Sequence, residues 1–236
     1  MKTLISSLIP ILIMDINSQY NKIGKDYVSG QKEFFSKRED EAVRFIKKSL
    51  PDLKNKKVLD IGCGNGKDIL LLESLNASDV FGIDTSEFMI NEAKKIVSKP
   101  NNLFVGNIEK TPFEDNFFDV AIGRFSFHYL KNFDKAYQEL SRILKKNGLL
   151  ILVVHHPFRE LSYQNNKIYG EQEIIRIELY NNKVPIHFPT HTLKDYFSKR
   201  FFDCFCLAGF EEEQSPEEYT DEFKTPGFMG IKAMKK

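Results

Sequence analysis

The chain has 236 residues, 42% of them hydrophobic, and no apolar run near the ~20 residues that a bilayer-spanning helix needs. That length suits one α/β domain with at most a small cap. Lys and Arg number 34 against 33 Asp and Glu, so the formal charge of +1 supplies no broad electrostatic footprint for a phosphate backbone, and neither nucleic acid nor a membrane is the expected partner.

In chain order, Lys2 and the apolar stretch Leu4 to Met14 have the outline of a secretory signal. Pro10 interrupts the run, no small-x-small cleavage site follows, and Asp15 to Lys25 continues as ordinary polar sequence. The stretch reads as a non-secreted extension or an upstream start, with a second methionine at Met14. Gln31 to Leu50 carries Phe34, Phe35, Ala42, Val43, Phe45 and Ile46 at helical spacing and is stopped by Pro51, which predicts a lead-in helix. Lys57 to Ile61 predicts a strand, a glycine-rich turn follows, and Ile69 to Leu75 predicts a helix. Asp79 to Ile83 predicts the second strand, closed by Asp84, and Phe88 to Val97 an amphipathic helix stopped by Pro100. Leu103 to Val105 and Phe118 to Ile122 predict two more strands, followed by a helix over Asp134 to Leu144 with Gly148 beyond its end. Six successive apolar residues, Leu149 to Val154, predict a strand buried on both faces of a parallel sheet. After His155 the strand–helix rhythm stops until Pro189, as in a lid or insertion over a site. Thr192 is a good N-cap for a helix running through Cys206, with Gly209 as terminator, and Phe228 to Met234 predicts a last strand. The organisation expected is an extension and lead-in segment over 1–30 and a single doubly wound α/β domain over 31–236, with 155–190 inserted as a substrate lid.

The informative peptide is Val58-Leu-Asp-Ile-Gly-Cys-Gly-Asn-Gly66. Glycines at every second position let the backbone turn sharply and approach a ligand at the carboxyl end of a strand, where open α/β sheets bind. Two other glycine loops fail. A dinucleotide fingerprint needs glycine where Lys67 stands, and a phosphate-binding loop needs Gly at 61 and Ser or Thr at 68, where Ile61 and Asp68 stand. Asp84 ends the second strand about 20 residues beyond the turn, where a carboxylate accepts hydrogen bonds from both ribose hydroxyls. A site with no pyrophosphate loop suits a nucleoside with a short zwitterionic tail, the shape of S-adenosylmethionine (SAM).

On these residues the sequence resembles the class I, seven-stranded, Rossmann-like SAM-dependent methyltransferases, specifically their small-molecule branch. The resemblance covers roughly residues 20 to 154. It rests on the glycine motif, Gly82-Ile-Asp-Thr-Ser86 with Met89, Gly106-Asn-Ile-Glu109 before Pro112-Phe113, Phe118-Asp-Val-Ala-Ile-Gly-Arg124 with His128-Tyr-Leu130, and Leu144-Lys-Lys-Asn-Gly148. The resemblance implies a mostly parallel seven-stranded sheet with helices on both faces, and SAM as cofactor. It implies that Gly62 and Gly64 line the methionine part, within a turn completed by Cys63 and Gly66, and that Asp60 helps hold the amino group. Asp84 would bind the ribose, Thr85 and Met89 flank the adenine, Asn107 and Ile108 meet its edge, and Arg124 stand beside the methionine part. Many relatives carry Asp where this chain has Asn107, so the amide oxygen would meet the adenine amino group. Tyr20 and Tyr27, in Tyr20-Asn-Lys-Ile-Gly-Lys-Asp-Tyr27, are similar to a paired-tyrosine lead-in that folds over the cofactor.

If the acceptor must lose a proton, histidine is the side chain whose pKa lies nearest working pH. His128 after the fourth strand and His155 and His156 after the fifth are the candidate catalytic residues. His187 and His191 are separated by Pro189, which prevents the one-face helical spacing of a zinc pair, so no metal is expected. Three cysteines without a CxxC pair fit neither a disulfide framework nor a tetrahedral zinc site and point to a reducing cytoplasm. Cys63 reads as a small side chain behind the turn, and Cys204 and Cys206 as buried residues of a helix. The function expected is methyl transfer to a small, partly apolar molecule. The alternatives are a methyltransferase acting on a macromolecule and a non-catalytic SAM-binding protein. No Asn/Asp/Ser-Pro-Pro-Tyr/Phe tetrapeptide, the mark of nucleic-acid amino methylation, follows the fourth strand, where Gly123-Arg-Phe-Ser126 stands instead.

Overall fold

A computed structural model describes residues 19–35, 41–180, 184–213 and 225–236. The N-terminal apolar stretch and Met14 lie outside the described residues.

The elements are helix α1 (Gln19–Phe35), α2 (Glu41–Ser49), strand β1 (Lys57–Ile61), α3 (Lys67–Ser74), β2 (Asp79–Asp84), α4 (Glu87–Ala93), β3 (Leu103–Val105), β4 (Phe118–Arg124), α5 (Asp134–Ile143) and β5 (Leu144–His155). Beyond them come α6 (Pro157–Tyr163), β6 (Ile174–Leu179), β7 (Val184–Pro189), α7 (Leu193–Tyr196), α8 (Lys199–Cys204), β8 (Phe205–Glu212) and β9 (Phe228–Lys235). Seven strands form one sheet in the order β3-β2-β1-β4-β5-β9-β8, and β6 pairs with β7 in a separate hairpin. The five strands from β3 to β5 run parallel, whereas β9 is antiparallel to both neighbours. The chain winds outward from β1 in one direction and from β4 in the other, which makes the β1/β4 boundary the switch point where such sheets open a crevice.

Alternation along the strands builds two cores. Leu59, Ala121, Leu150 and Leu152 point to a face covered by α5, α7 and α8 through Tyr137, Leu140, Tyr196 and Phe201. Their neighbours Val58, Val120, Ile151 and Val153 point to the other face, covered by α2, α3 and α4 through Phe45, Ile46, Ile69, Leu72 and Ile90. The continuous apolar run of β5 thus serves both faces. A third, smaller core joins the hairpin (Ile175, Val184, Ile186, Phe188) to Tyr20, Ile23 and Tyr27 of α1.

Several sequence expectations change. The 30/31 boundary falls inside α1, and the lead-in helix is two helices, one ending at Phe35 and one starting at Glu41. Gly148 does not terminate a helix. The chain passes directly from α5 into β5, and residues 145–148 form the irregularity where the β4–β5 register shifts. The long helix expected from Thr192 is two short ones, each with its own N-cap (Thr192 with a capping box, Ser198), because Phe197 leaves helical geometry between them. Phe205 then starts β8, which holds Gly209 at a bulge and leaves Cys206 exposed and Cys204 half-buried, so these cysteines are not buried helix residues. Among the described residues, no helix is long and apolar enough to cross a membrane.

A glycine in β9 reports on this packing. A Cβ on Gly230 would lie 2.6 Å from the Phe45 ring of α2. Gly230→Val is expected to lower unfolding stability by about 2 kcal/mol or more, as overpacking of a filled core does. Urea denaturation of the purified chain checks this.

Candidate active site

The cleft opens at the β1/β4 boundary and encloses about 790 Å³ when the open space at its mouth is included. Its floor is the turn after β1. Gly62, Gly64 and Gly66 have φ of 66°, 50° and 85°, a left-handed conformation that costs side-chain-bearing residues energy. Gly62 and Cys63 donate backbone N–H groups to the Ile83 carbonyl, at 2.7 and 3.1 Å, which locks the turn onto β2. A Cβ at Gly62 would collide with Cβ of Ser126, whose hydroxyl donates to the Ile61 carbonyl at 2.5 Å. A Cβ at Gly64 would meet nothing within 4 Å, so that backbone borders open space.

Asp84 ties two loops together. One carboxylate oxygen accepts the Gly64 N–H at 2.9 Å and the other the Ser86 N–H at 2.8 Å. Burial pushes its carboxyl up, and these two N–H groups pull it back. Ser86 in turn caps α4 through the Met89 N–H and donates to Asn21 of α1, whose amide oxygen also accepts the Phe88 N–H. Asn65 donates to Gln31 of α1, and Gln19 exchanges two hydrogen bonds with the backbone of His187 in β7. Helix α1 is therefore fastened at three points: α4, the glycine turn and the hairpin.

Ten of the expected cofactor contacts line this one cleft. Gly62 and Gly64 lie at the turn, Asp84, Thr85 and Met89 beyond β2, Asn107 and Ile108 after β3, Arg124 at the end of β4, and Tyr20 and Tyr27 on α1. Three do not. Asp60 is buried within β1 with Oδ2 unpartnered, and burial pushes its carboxyl well up. Cys63 is turned into the core against Gly82 and Ile69, where burial raises its thiol, and Gly66 serves as the N-cap of α3. The Asn107 amide oxygen accepts the Glu109 N–H at 2.9 Å, so it is engaged within its own loop. Arg124 forms a 2.8 Å ion pair with Asp68, and both side chains are nearly buried.

Sequence reasoning passed over Ser126, Tyr129 and Leu130, which line the cleft beside Phe125. Phe125 has φ of 52° at the point where β4 ends, a strained conformation held by its N–H donating to the Val153 carbonyl at 2.8 Å. The tyrosines of the sequence carried a signal only in part: Tyr20 and Tyr129, 109 residues apart, share a 2.6 Å hydrogen bond between their hydroxyls.

None of the three candidate histidines lines the cleft. His128 is fully buried behind Tyr129 and Phe188, with neither ring nitrogen partnered among the described residues, and burial pushes it well below the usual histidine range. His155 stacks on Phe188 and touches Phe125, and burial with nearby Arg159 lowers it to about 4. His156 has a structural task that corrects its assignment as a base. Nδ1 accepts the Phe158 N–H at the start of α6, and Nε2 therefore carries the hydrogen and donates to Glu212.

The comparisons follow this geometry. Residues 59–152 match the family model for a methyltransferase domain. Over that stretch, about two fifths of its length, the chain is similar to the class I SAM-dependent methyltransferases. An uncharacterized Haemophilus influenzae protein is 37% identical over 115 residues, 46% of this chain and 45% of that one. A demethylmenaquinone methyltransferase of Staphylococcus aureus is 28% identical over 144 residues, 59% of this chain and 57% of that one. This chain spans about half the length of the curated relatives it matches. A crystal structure from Listeria monocytogenes, assigned as a SAM-dependent methyltransferase, superposes with a TM-score of 0.68 at 24% identity, covering 83% of this chain and 98% of that one. The likeness at that identity speaks for the fold. The cofactor of the family, SAM, suits the residues present, since the Gly64 backbone borders empty space and the Asp84 carboxylate stands at its rim.

Two expectations follow. Asp84→Ala removes an ionised acceptor and unties Gly64 from Ser86, so SAM affinity measured by calorimetry should fall about 30-fold or more, the equivalent of about 2 kcal/mol. The second concerns His191, buried with Nε2 donating to the His128 carbonyl and lowered by burial to about 4. The unfolded chain takes up a proton here below about pH 6.5, and the native chain only near 4. Its contribution is therefore present above pH 6.5 and is lost as pH falls toward 4, amounting to at most about 3 kcal/mol. Buried Glu160, whose carboxyl is raised, acts with the opposite sign, so the difference between variants is the useful quantity. Thermal unfolding of His191→Phe should show a smaller loss of stability from pH 6.5 to 4.5 than the parent.

Proposed function

We propose that the chain transfers the SAM methyl group to a small, partly apolar molecule. The observation that carries this reading is the two-sided cleft. A polar side made by the glycine turn, Asp84 and Arg124 faces an aromatic side made by Tyr20, Tyr27, Phe125 and Tyr129, with α1 and the β6–β7 hairpin packed over the end of the sheet. SAM supplies an electrophilic methyl on a positively charged sulfur. The chain's own task is to hold the acceptor in line at short range and to exclude water, contributions that carry much of such a rate. The roof supports a small acceptor, because a polymer strand would have to displace α1 from its three anchors. The likeness to a demethylmenaquinone methyltransferase of Staphylococcus aureus supports the same reading.

On this reading α1 and the strands β6 and β7, within the 155–190 segment, act together as a cover, α1 from one side and the hairpin from the other. Two measurements test it. Purified protein, SAM and a size-fractionated cell extract should yield S-adenosylhomocysteine (SAH) with the low-molecular-mass fraction, and activity confined to the macromolecular fraction would refute a small acceptor. Hydrogen exchange should be faster in α1 and β6–β7 than in β1, β4 and β5 of the free protein, and should slow more on adding an acceptor than on adding SAH.

A further inference from the structure

The two ends of the cleft differ in chemical kind. Around the glycine turn stand three carboxyl groups, Asp60, Asp68 and Asp84, and the Arg124 guanidinium. Past them the wall is built of rings. Tyr20 stands at right angles to Tyr27, with centroids 5.1 Å apart, and at 87° to Tyr129, with centroids 5.7 Å apart. Tyr20 thus meets each of the other two rings edge to face, and Tyr20, Tyr27 and Tyr129 all border the open cleft. Burial holds their hydroxyls protonated, so they act as neutral dipoles.

A proton acceptor is harder to find at this end. Asp84 stands on the polar side of the cleft, bound to the Gly64 and Ser86 N–H groups where the cofactor is expected. His128 is sealed behind Tyr129, His155 is behind Phe125 and weakly basic, and His156 caps a helix. Among the described residues, the aromatic wall therefore presents no group fitted to take a proton from an alcohol or an ammonium at neutral pH.

Resting on the methyltransferase reading, we propose that the acceptor is a neutral, partly apolar amine, and that the corner of Tyr20, Tyr27 and Tyr129 holds the cation it becomes. The nitrogen lone pair forms the new bond to the methyl carbon, the carbon–sulfur bond breaks, and its electron pair returns to sulfur. The positive charge passes from sulfur to nitrogen, and no proton moves during transfer. The bound pair carries one positive charge before and after the step, in a cleft whose aromatic side and Asp84 attract such a charge. A hydroxyl acceptor would release a proton beside a wall that does not receive it.

The test begins with calorimetry of SAH on the full chain, because failure to bind SAH counts against the methyltransferase reading itself. The SAH-loaded protein is then titrated with choline and with its uncharged all-carbon isostere neohexanol. Choline should bind at least tenfold tighter, a preference retained in Tyr129→Phe, which keeps the ring, and lost in Tyr129→Leu, which removes it. Tyr20→Leu replaces the latter if Tyr129→Leu loses SAH binding. Equal binding of the two probes, including no measurable binding of either, overturns the proposal, as does a preference unaffected by removal of the ring. In turnover with SAM, dimethylbenzylamine should be methylated to the trimethylammonium product. Methylation of benzyl alcohol with none of the amine overturns the assignment while leaving methyl transfer in place.

Discussion

The organisation of the cleft depends on the buried carboxylate of Asp84 and the two backbone N–H groups that it receives. Those bonds fasten the glycine turn after β1 to the N-terminus of α4, and so hold in register two loops from neighbouring parallel strands. A carboxylate brought out of water needs such donors, and a turn of three left-handed glycines needs an external hold, so each supplies what the other lacks. Ser126 completes the arrangement from β4 by filling the space that a side chain at Gly62 would require. The crevice at the β1/β4 switch point thus has walls set by backbone contacts.

The second layer of organisation is helix α1. It lies outside the alternating α/β pattern, yet Asn21, Gln31 and Gln19 bind it to α4, the glycine turn and the hairpin. Each anchor is an amide side chain, a group with both donor and acceptor character that can pair with backbone or with another amide. Together these pairs seat α1 against the glycine turn, α4 and the hairpin. The cover also brings Tyr20 and Tyr27 against Tyr129, and in doing so gives the cleft its aromatic side.

Elements whose identity follows from local patterning were legible in the chain. The strands from Lys57, Asp79, Leu103 and Phe118, and the buried run Leu149 to Val154, stand where their apolar content and flanking turns place them. The C-terminal region misled for a definite reason. Thr192 to Cys206 read as one helix behind a good N-cap, but Phe197 breaks it, and pairing of Phe205 onward with β9 satisfies backbone groups that a longer helix would leave at a sheet edge. The hairpin was passed over although Ile175 to Leu179 and Val184 to Phe188 alternate, because Pro185 and Pro189 disguise the second strand.

By itself, the sequence determined the parallel sheet, the glycine turn and the acidic residue that answers it, because these rest on short-range constraints: strand periodicity, positive φ, and a fixed loop length. The family resemblance added Arg124, which ends β4 and lines the cleft. Only the tertiary structure decided which way the side chains face. Cys63 turns inward because Gly82 and Ile69 leave a small space there, and His128 is sealed away because Tyr129 and Phe188 close over it. Whether Tyr20 meets Tyr129 is likewise a matter of tertiary structure, since the contact joins residues 109 apart through two elements that pack only after the sheet has formed. Local propensity sets the backbone path, while burial, a property of the whole molecule, decides which polar groups remain available for chemistry.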